Sequence, residues 1–191
     1  MTRIGYQGDI GSNAEEAARL FASELAIAGA EFVPLVTSTG VANALTDRSI
    51  DYGVWAISNS IAGDVAGTDK ALRMAQEKGC GIVPLAAKEL HIHHCLFTLN
   101  ESTAKSIDAI ASHEQALAQT ARYRARHFPS AKAVATIDTA IAAKMLASGE
   151  LPTTTAIICR RNAGEMFGLH LVAENIEDEE SITRFQLVAV G

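Results

Sequence analysis

Ser181-Ile182-Thr183-Arg184-Phe185 sets a hydroxyl donor beside a permanently charged guanidinium at the start of an apolar run over 184–190. Strand geometry sends neighbouring side chains to opposite faces, so one of Thr183 and Arg184 can face a cleft while the other braces it. Taken alone, the pair reads as the polar entry to a buried strand; its companions elsewhere change that reading. Ser12-Asn13-Ala14-Glu15 and Ser112-His113-Glu114-Gln115 both fit the capping box, and Asp138-Thr139-Ala140-Ile141 is a third N-cap. Each of these helices follows a strand closely, offering backbone N–H groups and a positive dipole end where an anion can sit. Each is an ordinary cap singly. Three at corresponding turns point to a cleft that binds a small carboxylate.

The elements that must position these groups are β-branched runs alternating with Ala-rich stretches. The pattern predicts a strand over 3–6, a helix over 13–28, a strand over 31–36, a short helix over 40–45 and a strand over 51–57. This is the signature of an α/β layer fold with largely parallel strands, and the nearly continuous apolar run 51–57 belongs at its centre. Ser58-Asn59-Ser60-Ile61-Ala62-Gly63-Asp64 follows it, a polar turn at the carboxyl end of a strand, where open α/β sheets bind ligands. A helix over 69–78 stops at Gly79, and 81–99 reads as extended, interrupted by Pro84, crossing from a first lobe to a second. There the alternation repeats: strand 107–111, helix 113–126, strand 131–136, helix 139–148, strand 155–159, a short helix near 163–167 and strand 169–174. The acidic stretch 174–180 reads as a solvated connection back. The lobes are then 1–88 with 178–191, and 89–177.

With 191 residues, 48% hydrophobic and 20% charged, the chain suffices for one sizeable domain or two small lobes. A formal charge of −6 with scattered lysines and arginines argues against a nucleic-acid partner. The amino terminus enters a strand pattern at once, and no apolar run is long enough to span a bilayer, so no membrane partner and a cytoplasmic address are expected. Cys80, Cys95 and Cys159 lie far apart among apolar residues, as reduced, packed thiols do. His91-Ile92-His93-His94-Cys95 invites a metal reading, but in a strand His94 points away from the other three and no partner follows at zinc-finger spacing, so no metal is expected. His113 reads as cap-adjacent, Cys159 lacks a neighbouring His for a nucleophilic role, and Glu177 to Glu180 reads as a solvated charge run.

Further blocks complete a pattern. Tyr6-Gln7-Gly8-Asp9-Ile10-Gly11-Ser12, Asp51-Tyr52-Gly53-Val54 leading into Asn59-Ser60 and Gly63, His94-Cys95-Leu96, Ser112 through Gln119, Thr139-Ala140-Ile141-Ala142-Ala143, Asn175-Ile176-Glu177-Asp178 and Thr183-Arg184-Phe185 run in one order over nearly the whole chain. Together they resemble the catalytic domain of prephenate dehydratase. The resemblance implies an α/β fold of two similar lobes around a cleft, like a type II periplasmic binding protein. It implies a lyase that removes water and carbon dioxide from prephenate, a small-molecule substrate, to give phenylpyruvate without metal or organic cofactor. Thr183 would hydrogen-bond the departing hydroxyl, Arg184 would hold a carboxylate or fix the strand, and Asn59, Ser60, Ser112 and Gln115, with the amides at Ser12 and Thr139, would hold the ligand. A homodimer is expected by resemblance only.

Three positions leave the pattern. Ser58 stands where the family has Glu, Asp138 where it has Ser, and Ser181 where it has Asn. An Asp cap supplies the helix start with its own anion, and two like charges about 4 Å apart at an effective dielectric near 20 repel by about 4 kcal/mol, enough to cancel one good anion contact. Ser58 and Asp138 can equally trade a cap and a carboxylate without altering turnover. The departures admit a homologue recruited to specialised metabolism, such as the prephenate decarboxylases of bacilysin formation or a protein of tropodithietic acid formation. A non-catalytic carboxylate binder is the rival from another class. The chain ends at Val188-Ala189-Val190-Gly191, where typical dehydratases continue into an ACT domain, so phenylalanine inhibition through such a domain is not expected.

Overall fold

Alanine faces carry the helices and β-branched runs the strands. The computed structural model describes residues 1–101 and 103–191. In chain order the elements are β1 (Arg3–Tyr6), α1 (Asn13–Glu24), β2 (Glu31–Pro34), α2 (Ser38–Thr46), β3 (Tyr52–Asn59), β4 (Gly63–Asp64), α3 (Ala66–Glu77) and β5 (Ile82–His91). Then come β6 (Cys95–Thr98), a 3-10 turn (Thr103–Lys105), β7 (Ala109–His113), α4 (Glu114–Gln119), α5 (Ala121–His127), β8 (Lys132–Thr136), α6 (Thr139–Ala147), β9 (Thr155–Cys159), α7 (Arg161–Met166), β10 (His170–Ala173) and β11 (Ile182–Val190). The chain forms two units, Met1–His91 with Ile182–Gly191, and Ile92–Ser181.

In the first unit the strands run β2-β1-β3-β11-β5, with β4 pairing β3. β1, β2 and β3 are parallel, whereas β11 lies antiparallel to both β3 and β5. β3 is central, as its apolar run predicts. One face buries Val41, Leu45, Ile50, Trp55, Ala71, Ala75 and Val188 beneath α2 and α3. On α1, Ala14, Ala17, Ala18, Phe21 and Ala22 recur at helical spacing and are buried. α1 ends short of the expected 28 because Ala26 turns left-handed, at φ 53, and Ile27 donates back to Ala22.

In the second unit the order is β10-β6-β9-β7-β8, with β7 parallel to β8 and β9 and with β6 and β10 antiparallel. All of β9 is buried: Ile157 and Cys159 join one core with Phe97, Ala143 and Leu146, while Ala156 and Ile158 join another with Leu96, Ile110 and Leu117. The expected helix 113–126 is two helices. Thr120 Oγ donates to Ala116 O at 2.8 Å, and the Asp178 carboxylate takes the amides of Arg122 and Tyr123 at 2.7 and 2.9 Å, so α5 starts anew on an acidic cap. The sheets are more mixed than the alternation predicts because the strands at each crossing of the chain lack a helical crossover and pair antiparallel. Among the described residues, no helix is long and apolar enough to cross a membrane.

Gly164 on α7 lies so close to β6 that a Cβ there would run into the Phe97 ring, which is fully buried. Gly164→Ala therefore overpacks this core and is expected to cost about 1–3 kcal/mol in a urea unfolding titration.

Candidate functional site

A one-residue irregularity arranges the carboxyl edge of the first sheet. Along β11 and β3, Thr183 faces Asn59 and Arg184 faces Ser58, but Phe185 faces Ala56, leaving Ile57 as an extra residue on β3. Side chains alternate along a strand, so without this bulge Asn59 would point away from the face of Val54 and Ala56. With it, Asn59 shares the face of Thr183, Phe185 and Leu187. Thr183 is 8% exposed, and Arg184, on the other face opposite Ser58 and Glu89, is exposed.

The Asn59 side chain is oriented by its own turn. Its Oδ1 accepts from the amides of Ile61 and Ala62, both at 3.0 Å. Backbone amides only donate, so the oxygen must lie there and Nδ2 must lie at Thr183 Oγ, 2.9 Å away, with Ile182 O at 3.3 Å. An NH₂ group cannot accept, so the Thr183 hydroxyl proton is directed away from Asn59. No other hydrogen bond holds that hydroxyl among the described residues. Ser60 clamps the preceding residue from both sides: its Oγ accepts from Ile182 N at 2.9 Å and its amide donates to Ile182 O at 2.8 Å.

At the neighbouring turn Ser12 caps α1 as expected. Its Oγ accepts from Glu15 N at 3.3 Å, and Glu15 Oε2 reaches back to Gly11 N at 2.6 Å. The sequence reading missed Gln7, whose Oε1 takes Ala56 N at 3.1 Å beside the bulge. It also missed buried Thr68, which donates to Ala56 O at 2.6 Å and bonds Ser38 Oγ at 3.0 Å. These side chains take up the ladder groups that β3 leaves unpaired where β1 ends.

In the second unit Ser112 does not cap α4. β7 runs on through His113, so the helix begins one residue later. His113 Nδ1 caps it by accepting from Gln115 N at 3.2 Å, and Ser112 Oγ, fully buried, donates to Ile158 O at 2.6 Å. Asp138 is the expected cap of α6: Oδ1 accepts from Ala140 N at 2.7 Å and Ile141 N at 3.3 Å, just past Thr139.

A buried polar chain in the same unit escaped the sequence reading, although its residues lie within the quoted blocks. His94 Nε2 meets Gln119 Oε1 at 2.8 Å, and Gln119 Nε2 donates to Ser181 Oγ at 3.0 Å; all three residues are buried. The orientation of Gln119 makes His94 the donor, fixing its Nε2–H tautomer. Glu177 is no solvated charge: one oxygen accepts from His94 N and the other meets His93 Nδ1, both at 2.9 Å. Desolvation by burial lowers the His94 pKa, outweighing the bond to Gln119 and the Glu177 charge. Burial alone would raise Glu177, but the amide of His94, its own amide and the His93 ring hold its carboxyl below the usual range. Cys95 and Cys159 face each other across β6 and β9, and burial pushes both thiols up, as suits inert core residues.

Two α/β units, each with a parallel three-stranded centre and antiparallel additions, define a domain of the type II periplasmic-binding-protein kind. The sequence profile of the family described as Prephenate dehydratase matches residues 4–190. The bifunctional chorismate mutase/prephenate dehydratase of Neisseria gonorrhoeae is 38% identical over 139 residues, which is 72% of this chain and 37% of that protein. Arogenate dehydratase 5, chloroplastic, of Arabidopsis thaliana is 31% identical over 188 residues, 98% of this chain and 42% of that protein. The crystal structure of prephenate dehydratase from Arthrobacter aurescens in complex with L-Phe superposes with a TM-score of 0.83 at 26% identity, covering 98% of this chain and 60% of that one. The chain thus belongs to the prephenate dehydratase family, and it spans about two fifths of the length of these curated relatives.

The titrations of His94 and Glu177 give stability one direction of pH dependence. A histidine harder to protonate when folded binds more protons unfolded, so its contribution is intact above about pH 6.5 and is lost as pH falls towards its lowered folded value. Glu177, held low in the folded state, adds a second loss below the ordinary carboxylate range. Urea midpoints measured from pH 8 to pH 2 are expected to fall in two stages, and His94→Gln should flatten the first.

Proposed function

We propose that this protein is a lyase acting on prephenate, or on a closely related small ring acid, with Thr183 assisting departure of the ring hydroxyl. The observation that carries this is the Asn59 amide donating to Thr183 Oγ, which leaves the hydroxyl proton directed outward at the carboxyl edge of the sheet. In prephenate the C–O bond to the ring hydroxyl breaks, the ring carboxylate leaves as carbon dioxide, and its bonding pair completes the aromatic ring. The departing hydroxyl takes a proton from solvent water and leaves as water. Threonine is too weak an acid to hand over its proton outright, so its part is a positioned hydrogen bond that strengthens as charge develops on the leaving oxygen; such help contributes on the order of 10²- to 10⁴-fold. Asn59 and Ser60 act as positioning residues for Thr183. Arg184, Gln115 and Thr139 are proposed as substrate-holding positions by the family resemblance. Ser12, Ser58 and Ser112 are proposed as supports for these turns.

Asp138 favours a second reading of the substrate. Its carboxylate already takes two amides of the α6 start, where a second anion would meet repulsion of about 4 kcal/mol at 4 Å and an effective dielectric near 20. A substrate with one anion fewer, or with an ammonium near that turn, suits it better. Arogenate, named for the Arabidopsis relative, carries an amino acid where prephenate has an oxo acid. Recruitment to specialised metabolism, as a decarboxylase or in tropodithietic acid formation, and non-catalytic carboxylate binding are the remaining alternatives. A cytoplasmic homodimer completes the proposal, with light scattering as its test.

Incubating the protein with prephenate and with arogenate, with mass spectrometry of the products, separates these readings. Phenylpyruvate or phenylalanine supports the dehydratase. Loss of carbon dioxide with a non-aromatic ring supports a decarboxylase, and calorimetric binding without any turnover supports the binder. For the dehydratase, Thr183→Val should lower kcat by about 10²- to 10⁴-fold with KM nearly unchanged, while the melting temperature falls by a few degrees because one N–H of the buried Asn59 amide loses its partner. An unchanged kcat would remove Thr183 from the chemistry.

A further inference from the structure

The strand order leaves four sheet edges, β2 and β5 in the first unit and β10 and β8 in the second. Three of them are guarded. β2 is four residues long, opens on Glu31, which is ion-paired to Arg3, and ends on Pro34. β5 carries Pro84 and Lys88, and its register with β11 shifts between Leu187 and Val188. β10 is four residues long, half-buried throughout, and shifts register against β6 between Leu171 and Ala173. Short length, charge, proline and bulges are the means by which sheet edges avoid pairing with other chains.

β8 is the exception. Lys132-Ala133-Val134-Ala135-Thr136 pairs with Ala109 to His113 in unbroken parallel register, with no proline, no bulge and Lys132 as its one charge. Among the described residues it pairs on one side only. Lys132, Ala133, Val134 and Ala135 are all exposed, and neighbours on a strand point to opposite faces, so both faces are bare as well as the outer backbone. Val134 is 37% exposed, and Ile137, just past the strand, is 65% exposed. A regular, apolar, unguarded row of backbone donors and acceptors is a template for another strand. Its lack of any guard, where the other three edges have one, makes sense when a strand covers it.

We propose that β8 pairs antiparallel with the β8 of a second copy of this chain, about a two-fold axis at Val134. Such an axis, perpendicular to the sheet, keeps the same face upward in both copies. Directly opposed residues share a face, so the two numbers in each opposed pair are both even or both odd. The register that uses the whole strand then sets Val134 against the partner's Val134, Ala133 against the partner's Ala135, and Lys132 against the partner's Thr136. The two lysines fall at opposite ends and never meet. With a formal charge of −6, two copies repel over much of their surface, and a strand with one cation and no anion is a place where they can approach. Pairing consumes the unguarded edge of both copies and leaves only guarded ones outside, so assembly stops at two. The inference gives the homodimer proposed above its contact surface and rests on that reading for the number of copies.

The test compares wild type with Val134→Lys, Val134→Cys and Lys132→Cys. Light scattering over a dilution series should give wild type twice the mass of one chain. Val134→Lys, which sets two ammonium groups face to face at an exposed position, should give the mass of one chain with an unchanged circular-dichroism spectrum. In oxidised glutathione Val134→Cys should run as a disulfide-linked pair on a non-reducing gel, because opposed residues of antiparallel strands lie within the Cα spacing that a disulfide spans. Lys132→Cys, which faces Thr136 and not its own copy, should stay unlinked. Wild type, with Cys80 partly exposed, sets the background for both cysteine variants. A wild type that is monomeric throughout, or that grows beyond two, overturns the homodimer and this surface together. A wild-type dimer that Val134→Lys leaves intact, or that Val134→Cys fails to link, overturns the β8 surface alone and leaves the homodimer standing.

Discussion

The amide of Asn59 is the constraint on which the candidate chemistry depends. Its oxygen takes two backbone amides of its own turn and its nitrogen binds the hydroxyl of Thr183, so one side chain fixes the turn after β3 and the direction of a proton on β11. That economy requires both residues on one face of the sheet, which the extra residue Ile57 provides. Ser60 secures the same junction through the backbone of Ile182. A hydroxyl held in this way has little rotational freedom left to lose when a ligand arrives, and this is how a weak acid becomes useful.

The second unit uses buried polar groups differently. His94, Gln119 and Ser181 satisfy one another away from water, with Glu177 on the adjoining backbone. In such a setting each unpaired group would cost about 1–3 kcal/mol, so the chain holds together as a whole or not at all. Ser181 closes the network as the acceptor of the Gln119 amide. The anchoring of Glu177 and Asp178 likewise turns an acidic stretch into the support of two segments, the amide of His94 and the start of α5.

Much of this fold was legible in the sequence because periodicity reports burial. The apolar run of β3, the alanine face of α1 and the fully buried β9 each stand where their patterns place them. Strand direction was less legible, since antiparallel additions such as β11 and β10 carry the same apolar signal as parallel strands. The caps at Ser12 and Asp138 were readable from residue type. The shift of the α4 cap from the expected Ser112 to His113 was not, because a strand extending by one residue leaves no mark in local composition. Thr183 and Asn59 were recognisable as chemistry-bearing residues, but the bulge that sets them on one face depends on register across 124 positions of chain, which no local pattern encodes. The acidic run misled because charge is usually solvated, and only tertiary structure shows two of its carboxylates occupied by amides.

The place of β11 has a consequence for how the protein is made. The strand β11 lies between β3 and β5, so during synthesis the first sheet exists as two separate pieces, β2-β1-β3 and a lone β5, until Ile182–Val190 emerge from the ribosome. The second unit, continuous from Ile92 to Ser181, can collapse on its own contacts while the first still waits for its missing strand. Threading β11 into that gap therefore follows synthesis of the whole second unit. The same event delivers the reactive hydroxyl, so a nascent chain gains its candidate chemistry and its closed first sheet at one moment.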